Sequence, residues 1–248
     1  MAKTRILGVA DVHLGFRQYG LRQREQDIED VFRTEIVDYA ISNGFHAIVV
    51  AGDMLDSVRP TSRTYEFLRL MHGKAVEHDI PILVSPGNHD ASIPHWLSQI
   101  QNSQISQSGF ILLDNRSRMV NNHVLVHGVP CMSRQQWEEV LPTIPACQLL
   151  MMHQSFKEFI GFPSDTAFSG EDLIKLQGPM EVLVGDIHVS NGFTVNTESG
   201  IINVISPGST ELMSTSENTT KYRTEYTFDD DKVQHLKTEL KTRKVIVC

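Results

Sequence analysis

Short apolar runs of strand length recur along this chain, and they limit its fold more than any other feature of the sequence. The runs are rich in β-branched residues, which is typical of strands buried on both faces. In the first half they alternate with segments of helical periodicity, a pattern that predicts parallel βαβ units. The second half predicts a mixed sheet, or two sheets packed face to face. The runs begin near Ile6, Ala47, Ile80, His123, Cys147, Glu181 and Ile201.

Helix signals lie between these runs. Apolar residues at helical spacing predict a helix over 22–42, which Asn43-Gly44 would end. A second helix is predicted after Pro60-Thr61. Ser133 with Gln136 has the pattern of a capping box at the start of a short helix.

The last third of the chain carries weaker signals. Another short helix is predicted within 169–178, and the tail from Tyr222 is predicted to form a final hairpin. The sequence has no internal repeat and no low-complexity linker. We therefore expect a single domain over residues 1–248.

Composition excludes several classes of protein. The 248 residues carry 22 Lys and Arg against 30 Asp and Glu, a net charge of −8, which argues against a protein that coats nucleic acid through a basic surface. No apolar run approaches the roughly 18 residues of a membrane span, and there is no signal-peptide pattern. The three cysteines show no C-x-x-C spacing, which argues against a structural zinc site or a disulfide framework and predicts a reducing cytoplasm. They are Cys131, Cys147 and Cys248.

Five of the apolar runs end in residues that can bind a metal ion. Ligands gather at the C-terminal edge of the strands in an open α/β sheet, so these side chains are expected to share one site. Mixed oxygen and nitrogen donors suit Mn²⁺, Fe²⁺ or Zn²⁺ better than Ca²⁺. Taken singly, each piece has an ordinary reading as a turn or a packed histidine, but their common position favours a dinuclear site. The residues are Asp11, His13, Asp53, Asn88, His89, His153, Asp186 and His188.

The ordered blocks "ADVH", "GD", "GNHD", "H" and "GDIH" resemble the pattern of the calcineurin-like metallophosphoesterases. The segments "ADVHLGFRQYGLRQREQD", "AGDMLDSVRPT", "IPILVSPGNHD" and "SPGSTE" are similar to the SbcD-type nucleases of double-strand-break repair. The resemblance implies an α/β fold, a four-layer α/β/β/α sandwich of two mixed sheets flanked by helices. It also implies a metal-dependent DNA nuclease, acting as an exonuclease or endonuclease in repair or recombination.

The resemblance assigns a role to each position. Asp11, His13 and His188 would hold the first metal ion, and Asp53 would bridge both ions. The second ion would be held by Asn88, His153 and Asp186. His89 would protonate the leaving oxygen or stabilise its charge, with Asp56 orienting it. The cofactor would be two divalent ions, Mn²⁺ first, with Mg²⁺, Fe²⁺ and Zn²⁺ as alternatives.

One position departs from the family pattern, which has G-H-x-H where this chain has Asp186 and His188. A carboxylate can still bind a metal ion, but it adds negative charge and disfavours softer ions. The departure therefore predicts a weaker second site, or one that prefers a harder ion.

Contacts with DNA are expected from basic residues near the first two blocks and from a loop resembling one beside the family's site. A solvated helix start or a plain turn is the structural alternative. The candidate residues are Arg17, Arg22, Arg24, Arg59 and Ser209.

Partners follow from the resemblance as well. The family's nucleases continue into a capping region and a segment that binds an SMC-like ATPase of the SbcC type, and both are expected to be absent here, which leaves that partnership open. Trp96 and Leu97, with Leu68 and Met71 on the preceding helix, suggest a homodimer, although burial in the core would also explain them. No membrane partner is expected.

Two other functions compete with the nuclease. One is a phosphodiesterase for small molecules such as cyclic nucleotides, which would use the same metals. The other is a catalytically silent scaffold that binds DNA ends and whose site has decayed at Asp186. The arginine-rich segment after Asp11 favours DNA as the substrate.

Overall fold

Two six-stranded sheets form the centre of the protein. The structure is a computed structural model and describes residues 3–90, 108–161, 164–178, 181–217, 220–230 and 232–243. Sheet 1 has the strand order β12-β11-β1-β2-β3-β4, and sheet 2 has the order β5-β6-β7-β8-β10-β9. The strands are β1 Thr4–Ala10, β2 Ala47–Ala51, β3 Pro81–Ser85, β4 Gly109–Leu112, β5 Arg116–Val120, β6 Val124–Gly128, β7 Leu149–His153, β8 Glu181–Gly185, β9 Asn191–Thr197, β10 Gly200–Ser206, β11 Tyr222–Asp229 and β12 Lys232–Glu239.

Both sheets are mixed. In sheet 1, β1 to β4 run parallel, and β11 and β12 add an antiparallel edge. In sheet 2, β6, β7, β8 and β10 are parallel, with β5 and β9 antiparallel at the edges. The hairpin predicted from Tyr222 is confirmed as β11 and β12.

Register aligns the ends of the central strands. Ala10 lies opposite Ala51, and Ala51 lies opposite Ser85, so β1, β2 and β3 end side by side. In sheet 2, His153 lies opposite Gly185 at the ends of β7 and β8. The loops that leave these strands therefore start from one edge of each sheet.

Three apolar clusters show that the layers are stacked as predicted. One cluster packs helical residues such as Phe32 and Leu68 on sheet 1, and a second, including Leu83 and Leu183, fills the space between the sheets. A third packs Trp137 and its neighbours on the outer face of sheet 2. The four-layer arrangement of two mixed sheets between helices is confirmed.

The helices agree with the predictions in position. The helix predicted over 22–42 is continuous, with wider π-helical turns in its middle, and the capping box at Ser133 is confirmed. The segment within 169–178 forms only one 3₁₀ turn, shorter than predicted, opened by a capping box at Ser169. The described helices are α1 Arg22–Val31, the π-helical Phe32–Asp38, α2 Tyr39–Ser42, α3 Ser62–Glu77 and α4 Arg134–Val140, with 3₁₀ turns at Gln18–Gly20, Leu141–Thr143 and Gly170–Leu173.

The residues suggested for a dimer contact divide into two groups. Leu68 and Met71 are buried in the core against sheet 1, so they are not available to a second copy. Trp96 and Leu97 lie outside the described residues. None of the described helices combines the length and the apolar character needed to cross a lipid bilayer.

Candidate metal centre

The loops that carry the predicted ligands meet where the central strands end. The backbone N–H of Asp11 donates to Gly52 O at 3.2 Å, and that of His13 donates to Asp53 O at 2.9 Å, so the loops after β1 and β2 stay joined. Sheet 2 is tied to them through Asp186, whose N–H donates to Asp11 Oδ1 at 2.9 Å. These bonds hold loops from both sheets against each other.

Four of the predicted ligands have left-handed backbone conformations. This region is sparsely populated by residues with a side chain, at a cost of about 1–3 kcal/mol each, and such residues cluster at functional sites. The interloop bonds hold the backbone there. The residues and their φ angles are Asp11 (49°), His13 (51°), Asp53 (47°) and Asp186 (91°).

A first group of ligand atoms comes from Asp11, His13 and His188, and these atoms lie within 4.8 Å of one another. The Nε2 atoms of the two histidines face each other at 3.2 Å. On their other sides, His13 Nδ1 lies 3.5 Å from Asp56 Oδ1, and His188 Nδ1 lies 3.1 Å from Glu217 Oε1. The carboxylate beside His188 Nδ1 favours Nε2 as the ligand atom of that imidazole, whereas Nδ1 of His13 makes no hydrogen bond to the described residues.

A second group surrounds His153, which is fully buried. Its Nε2 lies 3.3 Å from Asp53 Oδ2, 3.1 Å from Asn88 Oδ1 and 3.8 Å from Asp186 Oδ1. Its Nδ1 lies 3.4 Å from the backbone carbonyl of Ala51. The imidazole is thus held so that Nε2 faces three oxygen donors.

Asp53 lies between the two groups. Its Oδ2 is 3.8 Å from His13 Nε2 and 3.3 Å from His153 Nε2. Its Oδ1 accepts a hydrogen bond from the backbone N–H of His89 at 3.0 Å. One oxygen therefore faces both groups, the position a bridging ligand requires.

His89 lies at the open side of this cluster. Its Nδ1 lies 2.6 Å from the backbone carbonyl of Asp56, and its Nε2 lies 4.0 Å from Asp53 Oδ2. The side chain is 39% exposed, so an external phosphate could reach it. Asp56 contacts His89 through its backbone rather than through its carboxylate, which faces His13 instead.

Three carboxylates make the centre strongly attractive to cations. Burial lowers the pKa of His153, but the hydrogen bond with Asp53 and the charges of Asp11, Asp53 and Asp186 outweigh it and raise that pKa to about 9. Burial raises the pKa of the Asp11 carboxyl against the opposing charges of the histidines. For Asp53, burial is outweighed by His153 and by the backbone N–H of His89, so its pKa is lowered.

Close packing explains the glycine before Asp53. Gly52 has a φ of +77°, and a Cβ there would lie 2.0 Å from His153 Nδ1. Only glycine lets the backbone of this loop contact the imidazole edge.

We expect Gly52→Ala to lose more stability than the same change at Gly44. Gly44 also has a positive φ, +65°, but a Cβ there meets nothing within 4 Å. Gly44→Ala should cost about 1 kcal/mol from backbone strain alone, whereas Gly52→Ala adds an overpacking cost of about 1–3 kcal/mol and displaces His153. Chemical denaturation of both variants and titration with Mn²⁺ measure the two effects. Equal stability and equal affinity would contradict this account.

Asp186 has a partner that the sequence did not indicate. The hydroxyl of Ser155 donates to Asp186 Oδ2, and the other carboxylate oxygen faces His153. Ser155 follows β7 by two residues. The departure from the family pattern is therefore accompanied by a hydroxyl that holds one oxygen of the carboxylate.

We expect Asp186→His to bind Zn²⁺ more tightly than the wild type, because imidazole suits this softer ion better than carboxylate does. An increase of about tenfold corresponds to 1.4 kcal/mol and is readily measured by calorimetric titration. Asp165→His, at an exposed position, is the control and should leave the affinity unchanged. An Asp186→His affinity equal to that of the wild type would remove this explanation.

Asp90 links the loops beneath the centre. It is fully buried, and it accepts hydrogen bonds from the backbone N–H groups of Met54 (3.2 Å), Leu55 (2.9 Å) and Gly87 (2.9 Å). Its position as the last residue of the "GNHD" block could have indicated a structural role, but none was predicted for Asp90 from the sequence.

No role at the site was predicted for Glu217 either, because it lies in the segment "STSENTT", which has the composition of a loop. Burial raises the pKa of its carboxyl, but hydrogen bonds from His188 and Lys221 outweigh this and lower that pKa to about 2. Glu217 is therefore charged at neutral pH and lies beside His188, one of the predicted ligands.

Two residues predicted to contact DNA are buried and occupied inside the protein. The guanidinium of Arg24 donates to Asp27 Oδ2 at 2.9 Å and to Leu212 O at 2.8 Å. The hydroxyl of Ser209 donates to Glu211 O at 2.8 Å, and the backbone N–H of Ser209 donates to His188 O at 3.3 Å. These internal acceptors compete with DNA phosphates for the donors of both residues.

The other three candidates remain at the surface. Arg17 forms an ion pair with the buried carboxylate of Glu25 at 2.7 Å, which leaves its guanidinium only partly available. Arg22 and Arg59 are exposed.

Comparison with curated proteins finds relatives of moderate similarity. The DNA double-strand break repair protein Mre11 of Sulfolobus acidocaldarius is 28% identical over 195 residues, which cover 74% of this chain and 49% of the relative. That of Methanosarcina acetivorans is 31% identical over 229 residues, which cover 87% of this chain and 35% of the relative. The chain thus spans about half the length of these relatives or less.

Structural and family comparisons agree with the fold. The crystal structure of TT1561 of Thermus thermophilus superimposes with a TM-score of 0.58 at 17% identity, covering 95% of this chain and 99% of that one. Residues 4–178 match the calcineurin-like phosphoesterase family. Since this match spans most of the chain, and the two mixed sheets are those the resemblance implied, the chain belongs to the calcineurin-like phosphoesterases.

Proposed function

We propose that this chain is a DNA nuclease that hydrolyses phosphodiester bonds with two divalent metal ions, in repair or recombination. The observation that carries the proposal is the position of Asp53, whose Oδ2 faces both ligand groups. Relatives named as DNA double-strand break repair proteins support DNA as the substrate.

The donors present fit a pair of divalent ions. The first ion would be held by Asp11, His13 and His188 and the second by Asn88, His153 and Asp186, with Asp53 between them. When bound, such a pair acidifies water and offsets the charge on phosphate oxygens. The donor set of carboxylate, amide and imidazole suits Mn²⁺, and Mg²⁺, Fe²⁺ and Zn²⁺ are the alternatives.

The residues of the chain supply positioning and a proton. The carbonyl of Asp56 can only accept a hydrogen bond, so it holds a proton on His89 Nδ1, and in the doubly protonated ring Nε2 carries the second proton. Nε2 can then pass its proton to the leaving oxygen, a contribution of about 10²–10⁴-fold.

Substrate choice separates this proposal from a small-molecule phosphodiesterase. With Mn²⁺, we expect cleavage of end-labelled single-stranded or duplex DNA as well as of bis-p-nitrophenyl phosphate. Cleavage of the small ester alone would reject the nuclease. DNA binding without turnover in Mn²⁺ or Mg²⁺ would identify a scaffold instead.

Exposed Arg22 and Arg59 are proposed to contact DNA phosphates, because cations at a phosphodiester site position the backbone of the substrate. An SMC-like ATPase and a second copy of the chain are the proposed protein partners.

A further inference from the structure

Glu217 has its two carboxylate oxygens directed to different partners. Oε1 lies 3.1 Å from His188 Nδ1. Oε2 accepts from Lys221 Nζ at 2.6 Å and from the backbone N–H of Met213 at 3.3 Å. The carboxylate therefore joins a predicted metal ligand to a buried ammonium group.

Lys221 is 2% exposed, and its ammonium has three oxygen partners. Besides Glu217, it donates to Ser209 Oγ at 2.8 Å and to the backbone carbonyl of His188 at 3.2 Å. Its three N–H donors are thus matched by three acceptors. Lys221 consequently fixes the backbone of His188 while Glu217 fixes its imidazole.

The loop before Glu217 approaches the same backbone. The N–H of Ser209 donates to His188 O at 3.3 Å. Gly208 has a φ of +79°, and a Cβ there would lie 2.7 Å from His188 O. The segment resembling the family's "SPGSTE" loop is therefore packed against the ligand from behind, which agrees with the burial of Ser209.

We infer that Glu217 and Lys221 act together as positioning residues that keep the proton of His188 on Nδ1 and so present Nε2 to a metal ion. The inference rests on the proposed function. A carboxylate has two acceptor oxygens, so it can accept from His188 and from Lys221 at once. A hydrogen-bonded carboxylate behind a ligating histidine fixes its tautomer and raises its basicity.

A glutamine at this position cannot serve both partners. Its single oxygen would be taken by the ammonium of Lys221, which leaves its NH₂ group facing His188 Nδ1. That arrangement favours the tautomer with the proton on Nε2, which cannot bind a metal ion. Once Lys221 is removed, only the long 3.3 Å hydrogen bond from the N–H of Met213 still holds the oxygen on that side, so the amide oxygen of the glutamine can turn to His188.

The test is a double-mutant cycle read by calorimetric titration of the metal-free protein with Mn²⁺. We expect Glu217→Gln to weaken one of the two Mn²⁺ sites by about 10–100-fold. We expect Glu217→Gln combined with Lys221→Met to recover most of that loss, although two buried groups have been changed. Glu181→Gln is the control, since Glu181 is buried and lies 3.3 Å from a histidine, His235, at the start of β8 and away from the centre.

Thermal unfolding of the same variants separates positioning from folding. A purely structural role predicts that the double variant binds Mn²⁺ no better than Glu217→Gln and that affinity falls in parallel with melting temperature. Either that result or an unchanged affinity in Glu217→Gln, with tight binding by the wild type, overturns this inference alone. A wild type that binds no Mn²⁺ overturns the proposed function as well.

Discussion

Replacing His89 by alanine is expected to lower kcat for DNA cleavage by about 10²–10⁴-fold, the usual contribution of a positioned proton donor. The affinity for Mn²⁺ should not change, because the imidazole is not needed to hold either group of ligands. Its Nε2 lies 4.0 Å from Asp53 Oδ2, and the hydrogen bond that orders Asp53 comes from the backbone N–H of residue 89. That backbone bond survives the substitution.

The experiment combines single-turnover cleavage of end-labelled DNA with calorimetric titration by Mn²⁺. His78→Ala is the control, since His78 is an exposed histidine at the end of α3. It should match the wild type in both measurements. Equal cleavage rates for His89→Ala and the wild type would show that His89 is not the proton donor.

The second large effect expected is on the pH dependence of metal binding. His153 must be neutral to bind a metal ion, yet the surrounding carboxylates raise its pKa to about 9. A metal ion must therefore displace a proton from His153 at neutral pH. Below pH 9, the affinity of the second site for Mn²⁺ should rise about tenfold for each pH unit.

The raised pKa of His153 has the opposite effect on the stability of the metal-free protein, which should fall as pH rises. A histidine with a raised pKa stabilises the folded state below its unfolded pKa of 6.5, and this contribution is lost as pH rises through about 9. The metal-free protein should thus lose stability over the range in which it gains affinity for metal.

Calorimetry at pH 7.0, 7.5 and 8.0 in buffers of different ionisation enthalpy would report both the affinity and the protons released. About one proton should be released when the second site fills. His127→Gln is the control: His127 is buried beside Ser117 and outside the centre, and it should leave the pH slope unchanged. An affinity that is flat between pH 7 and pH 8 would contradict the prediction.

Local patterns in the sequence were sufficient to predict the strands and helices. They also predicted the edge of the sheet at which the metal ligands lie. Short runs of β-branched residues favour strands, and Ser133 caps α4 through bonds that span only three residues. The ligands follow the ends of these strands directly. Because parallel strands align their C-terminal ends, the sequence predicts that Asp11, Asp53 and His153 lie together, as they do.

Contacts between residues distant in sequence could not be predicted from such local patterns. Arg24 and Ser209 were predicted to contact DNA, but the guanidinium of Arg24 donates to Leu212 O and the backbone N–H of Ser209 donates to His188 O, both distant in sequence. Asp56 was expected to orient His89, yet its backbone carbonyl does so, while its carboxylate faces His13. Which atom of a residue faces the centre depends on the path of the loop in space.

The sequence by itself determined the residue types at the strand ends, and hence the chemistry the centre can perform, because order and spacing along a strand are local properties. Only the tertiary structure decided which other side chains hydrogen-bond to those residues. Glu217 reaches His188 across 29 positions, and Ser155 reaches Asp186 across 31. Contacts between segments so far apart depend on which strands pair and on the paths of the loops that follow them, which no local pattern encodes.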